Sequence, residues 1–197
     1  MRPRLQSTST DPVVLFAGRG SGTLIDVNDW QRSLYGAPCR ECGFEWSRTL
    51  HDCLGIVERV PAHYSELLAG RDAATRHPDL GWSVGEYVCH VGDNLRIWAE
   101  RLAGASLGGS RIVAAYDQDL LAVARCYGGV AIEAGLWSLA RVVPAWIEAI
   151  GLATERGVVL VHPARGDLTV LDVACGNAHD AYHHGWDIAR TLGSAST

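Results

Sequence analysis

GDLTVLDVACGNAHDAYHHGWDIA, residues 166–189, decides how this chain folds. Thr169 and Asp172 stand three apart, so each side chain can satisfy the other's free backbone donor in a capping box that starts a helix. Successive helical residues advance by about 100°, which places His179 and His183, four apart, on one face. Two imidazoles so spaced can share one divalent ion, or they can cap, pair with Asp180 and Asp187, or sit in water. His184 lies on the side of Val170, Val173 and Ala181 and reads as a packed or hydrogen-bonded neighbour. Asp187, one turn after His183, suits a carboxylate that orients that ring. Cys175, one turn before His179 on the same face, is a competing thiolate ligand.

A second stretch, GWSVGEYVCHVGDNLRIWAERL at 81–102, repeats the construction. Ser83 and Glu86 form its capping box, and Val84, Tyr87, Val88, Val91, Leu95, Trp98 and Leu102 supply the buried stripe. His90, beside that stripe, is the candidate third ligand from a facing helix, the usual arrangement in a bundle core. Its counterpart in the last helix is Gly176. By helical position alone, Tyr87, Asn94 and Trp186 are placed along the approach to the ion.

Outward from these two helices the pattern stays helical. Leu50, Cys53, Leu54, Val57, Tyr64, Leu67 and Leu68 share a stripe, with Pro61 expected to kink or break it. A third segment, DQDLLAVARCYGGVAIEAGLWSLARVV, is weakened by Gly128 and Gly129, and Pro144 and Trp146 mark its end or a break. GVVLVHPARGDLTV predicts a small hairpin or extended connection. The expected architecture is all-α: an up-and-down four-helix bundle over 44–192, an N-terminal arm over 1–43 that is partly irregular, and a tail at 193–197. Gly18–Gly22, GRGSG, reads as a loop, because it lacks the phosphate-binding lysine and the full dinucleotide spacing.

The two capped helices, with VVPAWIEAIGL and HPARGDLTV before the second, resemble the DinB/YfiT-like superfamily of metal-binding four-helix bundles across about residues 44–192. That resemblance places a metal triad on His90, His179 and His183, holding zinc or nickel. It also implies thiol chemistry, since relatives include mycothiol-dependent maleylpyruvate isomerases and mycothiol or bacillithiol S-transferases, in which the ion stabilises a thiolate. The isomerases carry a further C-terminal domain and this sequence ends at Thr197, which weighs against isomerisation. Some thiol-dependent relatives have Glu where His179 stands. The expected function is therefore metal-dependent S-transfer from a low-molecular-weight thiol to an electrophilic metabolite. The alternatives are a metal-dependent hydrolase or isomerase, or a non-enzymatic metal-binding stress-response bundle.

The 197 residues carry a formal charge of −5, with 17 basic residues, every one Arg. Without a basic run, nucleic acid is not the expected partner; a small-molecule substrate is, and a homodimer is plausible. The longest apolar run near the N-terminus, Val13–Gly18, is short for a signal peptide or membrane span, so a cytoplasmic, membrane-free protein is expected. Six cysteines in a reducing compartment point to burial, metal or catalysis rather than a disulfide framework. Cys39 and Cys42, in CRECGFEW, make half of a zinc ribbon, a simply packed loop or a redox pair, and a complete metal site would need helpers such as His51, Cys53 or a second subunit.

Overall fold

The computed structural model describes residues 27–193, so the glycine run at 18–22 and the tail beyond Gly193 lie outside the described residues. Six helices and one hairpin follow in order: α1 (Val27–Tyr35), α2 (Leu50–Leu68), α3 (Val84–Ser106), α4 (Gln118–Ala124), α5 (Ile132–Glu155), β1 (Val159–His162), β2 (Gly166–Thr169) and α6 (Val170–Thr191). The last nine residues of the stretch before Gly36 are thus helical, within the segment expected as an arm.

Helices α2, α3, α5 and α6 form the bundle. Helix α3 packs chiefly on α5, and α2 on α6, while α3–α6 and α2–α5 contacts close the other two edges. Consecutive helices α2 and α3 therefore stand on a diagonal. This arrangement sets α6 between α2 and α3, which is what brings its histidines toward His90.

Both expected capping boxes are present, at Ser83/Glu86 and Thr169/Asp172, and a third at Thr49/Asp52 starts α2. Each satisfies backbone donors that a helix start leaves open. At α3, the Ser83 N–H donates to Glu86 Oε2 at 2.7 Å, and Arg76 lies 2.6 Å from the same oxygen. Burial would raise the Glu86 pKa, but the Ser83 bonds and the Arg76 charge outweigh it and hold the carboxyl below its ordinary value. With a folded pKa below the unfolded value near ~4.3, the stabilisation is present above that pH and is lost as pH falls through the folded pKa. Melting curves at stepped pH values should therefore show Glu86→Gln less stable than the parent at neutral pH, with the gap closing in acid. An equal gap at both ends would contradict this account.

Neither proline ends its helix. Pro61 sits inside α2, and α5 runs through Pro144 to Glu155 rather than stopping there. Burial of Val57, Val60, Tyr64 and Leu68 in α2, and of Val143, Trp146 and Ile150 in α5, spans each proline and outweighs its missing N–H. The real break lies earlier: α4 ends at Ala124, Cys126 takes a left-handed conformation (φ 52°), and a 3-10 turn at Tyr127–Gly129 precedes α5. Helix α5 is long and apolar enough, by length and composition, to cross a bilayer, and here it packs on α3 and α2.

The hairpin is antiparallel, pairing Val159 with Thr169 and His162 with Gly166. It delivers the chain directly into the α6 cap. At the α2–α6 seam, the Tyr64 hydroxyl donates to the Ala181 carbonyl at 2.6 Å, and Gly185 lets the ring close in, since a Cβ there would stand 3.1 Å from Tyr64 Cε1. At the centre, Trp146 Nε1 donates to Asn177 Oδ1 at 2.9 Å.

Candidate functional site

Among the described residues, two groups of potential metal ligands draw on α6, offset from one another by one residue. The first joins His90 of α3 to Asp180 and His184 of α6, one ligand atom from each lying within 4.8 Å of the others. His90 Nε2 is 3.4 Å and His184 Nε2 3.6 Å from the same oxygen, Asp180 Oδ1. Tetrahedral ligands about 2.0–2.1 Å from a zinc ion stand about 3.3 Å apart, so this donor set fits such an ion with little adjustment. Neighbours orient each donor. Asn94 Nδ2 donates to Asp180 Oδ2 at 2.8 Å, the Tyr116 hydroxyl donates to Asn94 Oδ1 at 3.3 Å, and His184 Nδ1 pairs with Asp187 Oδ2 at 2.9 Å. Trp82 packs on the His90 ring and Tyr87 on the His184 ring, at centroid separations of 4.7 and 4.9 Å.

The electrostatics are those of a carboxylate and imidazoles that stabilise one another's charged forms. Burial would raise the Asp180 pKa, but facing His90 and His184 hold it well below the usual carboxylate range. Burial would lower that of His184, yet Asp180 and Asp187 push it up to about 9. An ion entering the group would displace that imidazole proton, because only neutral imidazole coordinates metal.

The second group contains Cys39 and Cys42, from the turn after α1, with His179 and His183. Cys39 Sγ lies 3.7 Å from His183 Nδ1. Burial, with the His183 charge beside it, drives the His179 pKa down to about 4, and burial also lowers that of His183. Burial pushes the Cys42 thiol up to about 12, with the Cys39 sulfur beside it adding to the effect.

The triad expected from the sequence is thus divided. His90 stands with Asp180 and His184, whereas His179 and His183 stand with the two cysteines. His184, expected as a packed or hydrogen-bonded neighbour, packs on Tyr87 and bonds Asp187 and also belongs to the first group, and Asp187 lies closer to His184 (2.9 Å) than to His183 (3.7 Å). From the sequence Asp180 reads as a pairing partner of the histidines rather than a ligand, because a carboxylate between histidines looks like one. A signal was nonetheless available: His184 shares the apolar stripe of Val170, Val173 and Ala181, and that stripe is what faces the core. Cys175 joins neither group; it lies 3.5 Å from Cys53 Sγ and 3.7 Å from the Trp46 carbonyl. His51, the other suggested helper of the CxxC, is exposed.

A cavity of about 240 Å³ opens beside the first group, walled by His90, Asp180, Asn94, Tyr35 and Tyr116. Arg101 and Arg165 also line it. The Arg101 guanidinium lies 4.6 Å from the Trp98 ring centroid, and that of Arg165 lies 4.5 Å from Trp30. Burial lowers the pKa of both, and among the described residues neither has a carboxylate within ion-pair distance. Two ring-stacked, partly desolvated cations therefore share the cavity with the Asp180 carboxylate. Of the expected lining residues, Asn94 is in this wall, Trp186 lines a separate cleft beside Cys42, and Tyr87 is buried against His184.

Compared with known proteins, residues 57–188 match the model of the DinB superfamily. Among solved structures, the chain is similar to YfiT from Bacillus subtilis, whose description is a probable metal-dependent hydrolase with an unusual four-helix bundle topology. The two share 19% identity with a TM-score of 0.59, covering 74% of this chain and 89% of that one. No curated protein matches the chain.

Proposed function

The chain belongs to the DinB superfamily, and on that premise we propose that it is a metal-dependent enzyme acting on a small anionic substrate at His90, Asp180 and His184. The observation that carries this is the convergence of both Nε2 atoms on one Asp180 oxygen at the wall of a cavity that two ring-stacked guanidinium groups also line. Three protein ligands leave a coordination position open, as catalytic sites do. A divalent ion, zinc or nickel, would supply Lewis acidity there, favouring the ionised form of a bound nucleophile.

The chain's own residues do the rest. Asn94 and Asp187 fix the donor atoms in place. Arg101 and Arg165 hold the anionic group of the substrate, their planes set by the indoles beneath them. Burial, and then Asp180, push the Tyr116 hydroxyl up to about 12, so it keeps its proton at neutral pH and remains a donor on the cavity wall.

The nucleophile in this proposal is a low-molecular-weight thiol of the mycothiol type, transferred to an electrophilic metabolite. A second reading, hydrolysis by water, is favoured by the likeness to YfiT and its description as a probable hydrolase. Zinc- or nickel-loaded protein assayed with small thiols and a panel of carboxylated electrophiles should consume thiol, and His184→Ala should abolish that turnover. Turnover of esters or amides without thiol would select hydrolysis instead. Loaded protein that does neither overturns the enzyme proposal.

Arg165→Ala and Arg101→Ala should each raise KM for an anionic substrate by about 10-fold or more, since a charge-assisted hydrogen bond contributes ~1.5–3 kcal/mol. The kcat should change little. Equal losses on a neutral analogue would show that the arginines hold the fold rather than the substrate.

A further inference from the structure

The second ligand group lies outside that mechanism, and its construction is different. Cys39 and Cys42 sit in a tight turn in which Cys39 N–H donates to the Phe44 carbonyl and Gly43 N–H to the Cys39 carbonyl, each at 2.9 Å. Gly43 closes the turn at φ +72°, a conformation glycine adopts without steric penalty. The turn carries both sulfurs to α6, where His179 and His183 stand one helical turn apart. Both thiols are buried and free of disulfide.

Three further observations point to an ion rather than to packing. His179 Nε2 is buried without any hydrogen-bond partner, an expensive state for a polar atom that a metal would relieve. The Cys39 Sγ to His183 Nδ1 separation of 3.7 Å is close to the S–N edge of a zinc tetrahedron, about 3.5 Å for bonds of ~2.3 and ~2.05 Å. The other nitrogen of His183 faces carboxylates, with Glu41 at 3.2 Å and Asp187 at 3.7 Å, the outer arrangement typical of metal-bound histidine.

We propose that Cys39, Cys42, His179 and His183 form a closed structural zinc site that fastens the segment after α1 to α6. Four protein ligands complete a tetrahedron and leave no position for substrate, unlike the His90 group. The Tyr35, Phe44 and Trp46 rings pack on His179 at centroid distances of 4.7, 5.3 and 4.5 Å and exclude water from that side. The consequence reaches the cavity, because Trp30 and Tyr35, on α1, form part of its wall. Tying down the turn four residues after Tyr35 holds that wall in place.

The test uses the full-length protein, stripped and reloaded with zinc or cobalt alone. Cobalt-loaded wild type should show tetrahedral visible absorption with thiolate-to-cobalt charge transfer. The Cys39→Ser/Cys42→Ser double variant should lose the charge transfer and one equivalent of zinc, and His90→Ala should retain the charge transfer. Zinc should also protect Cys39 and Cys42 from alkylation, mapped by peptide mass spectrometry, while exposed Cys126 is labelled with or without zinc as an internal control. The protection measurement needs no variant, so it decides the matter even if the double variant does not fold. Cobalt protein without thiolate charge transfer, unchanged labelling of both thiols, or a Cys39–Cys42 disulfide in zinc-loaded protein would each overturn the proposal. None of these outcomes depends on whether the His90 group is catalytic.

Discussion

Trp146→Ala is expected to lower stability by about 3–5 kcal/mol, because a buried indole is lost and the cavity cannot fully collapse. Trp146 is fully buried in α5, and its Nε1 donates to Asn177 on α6, so one side chain joins the two helices that stand on a diagonal of the bundle. Truncation also leaves the buried Asn177 oxygen without its donor, an added cost of about 1–3 kcal/mol. For a chain of this length, the packing loss alone corresponds to a fall in melting temperature of roughly 6–20 °C. Trp146→Phe keeps much of the volume but not the hydrogen bond, so it should fall between. Urea titrations of the three proteins measure this order. A Trp146→Ala loss under about 1 kcal/mol would mean that the bundle centre is not where the structure places it.

Asp180→Asn should have the largest effect on function. The substitution preserves shape but removes the charge that faces His90 and His184, and it puts an amide where both imidazoles require a carboxylate oxygen. Metal affinity at this group should fall at least 100-fold, more than the 10–100-fold typical of losing an outer partner, and turnover should fall with it. Metal analysis with both groups loaded distinguishes the sites: Asp180→Asn should lose one equivalent and retain the thiolate–cobalt absorption of the other. His179→Ala should do the reverse. If Asp180→Asn retained full occupancy and His179→Ala lost activity outright, the triad of His90, His179 and His183 would be the better assignment.

The difference between these two assignments is one residue of rotation on α6. Asp180 and His184 are spaced like His179 and His183, so spacing alone is silent on which pair meets His90. Packing resolves it. Ala181 lies against Tyr64 of α2, and His184 turns toward Tyr87 and His90 of α3, which leaves Asp180 opposite His90 and sends His179 and His183 to the Cys39 turn.

Caps and stripes are local, and for that reason they were readable from residues alone. Ser83, Glu86, Thr169 and Asp172 start α3 and α6 as expected, since each box is made within one turn of chain. Pro144 misleads for the opposite reason: its local penalty is outweighed by burial of Val143, Trp146 and Ile150 against helices distant in sequence.

Local patterning by itself determined that this chain makes a capped helical bundle with candidate ligand histidines on two of its helices. Tertiary structure alone decided how those histidines divide, and that two ring-stacked arginines face the cavity beside one group. Ligand sets are assembled from residues 90 or more positions apart, and the rotation of a helix about its axis is set by the side chains it buries rather than by its own repeat.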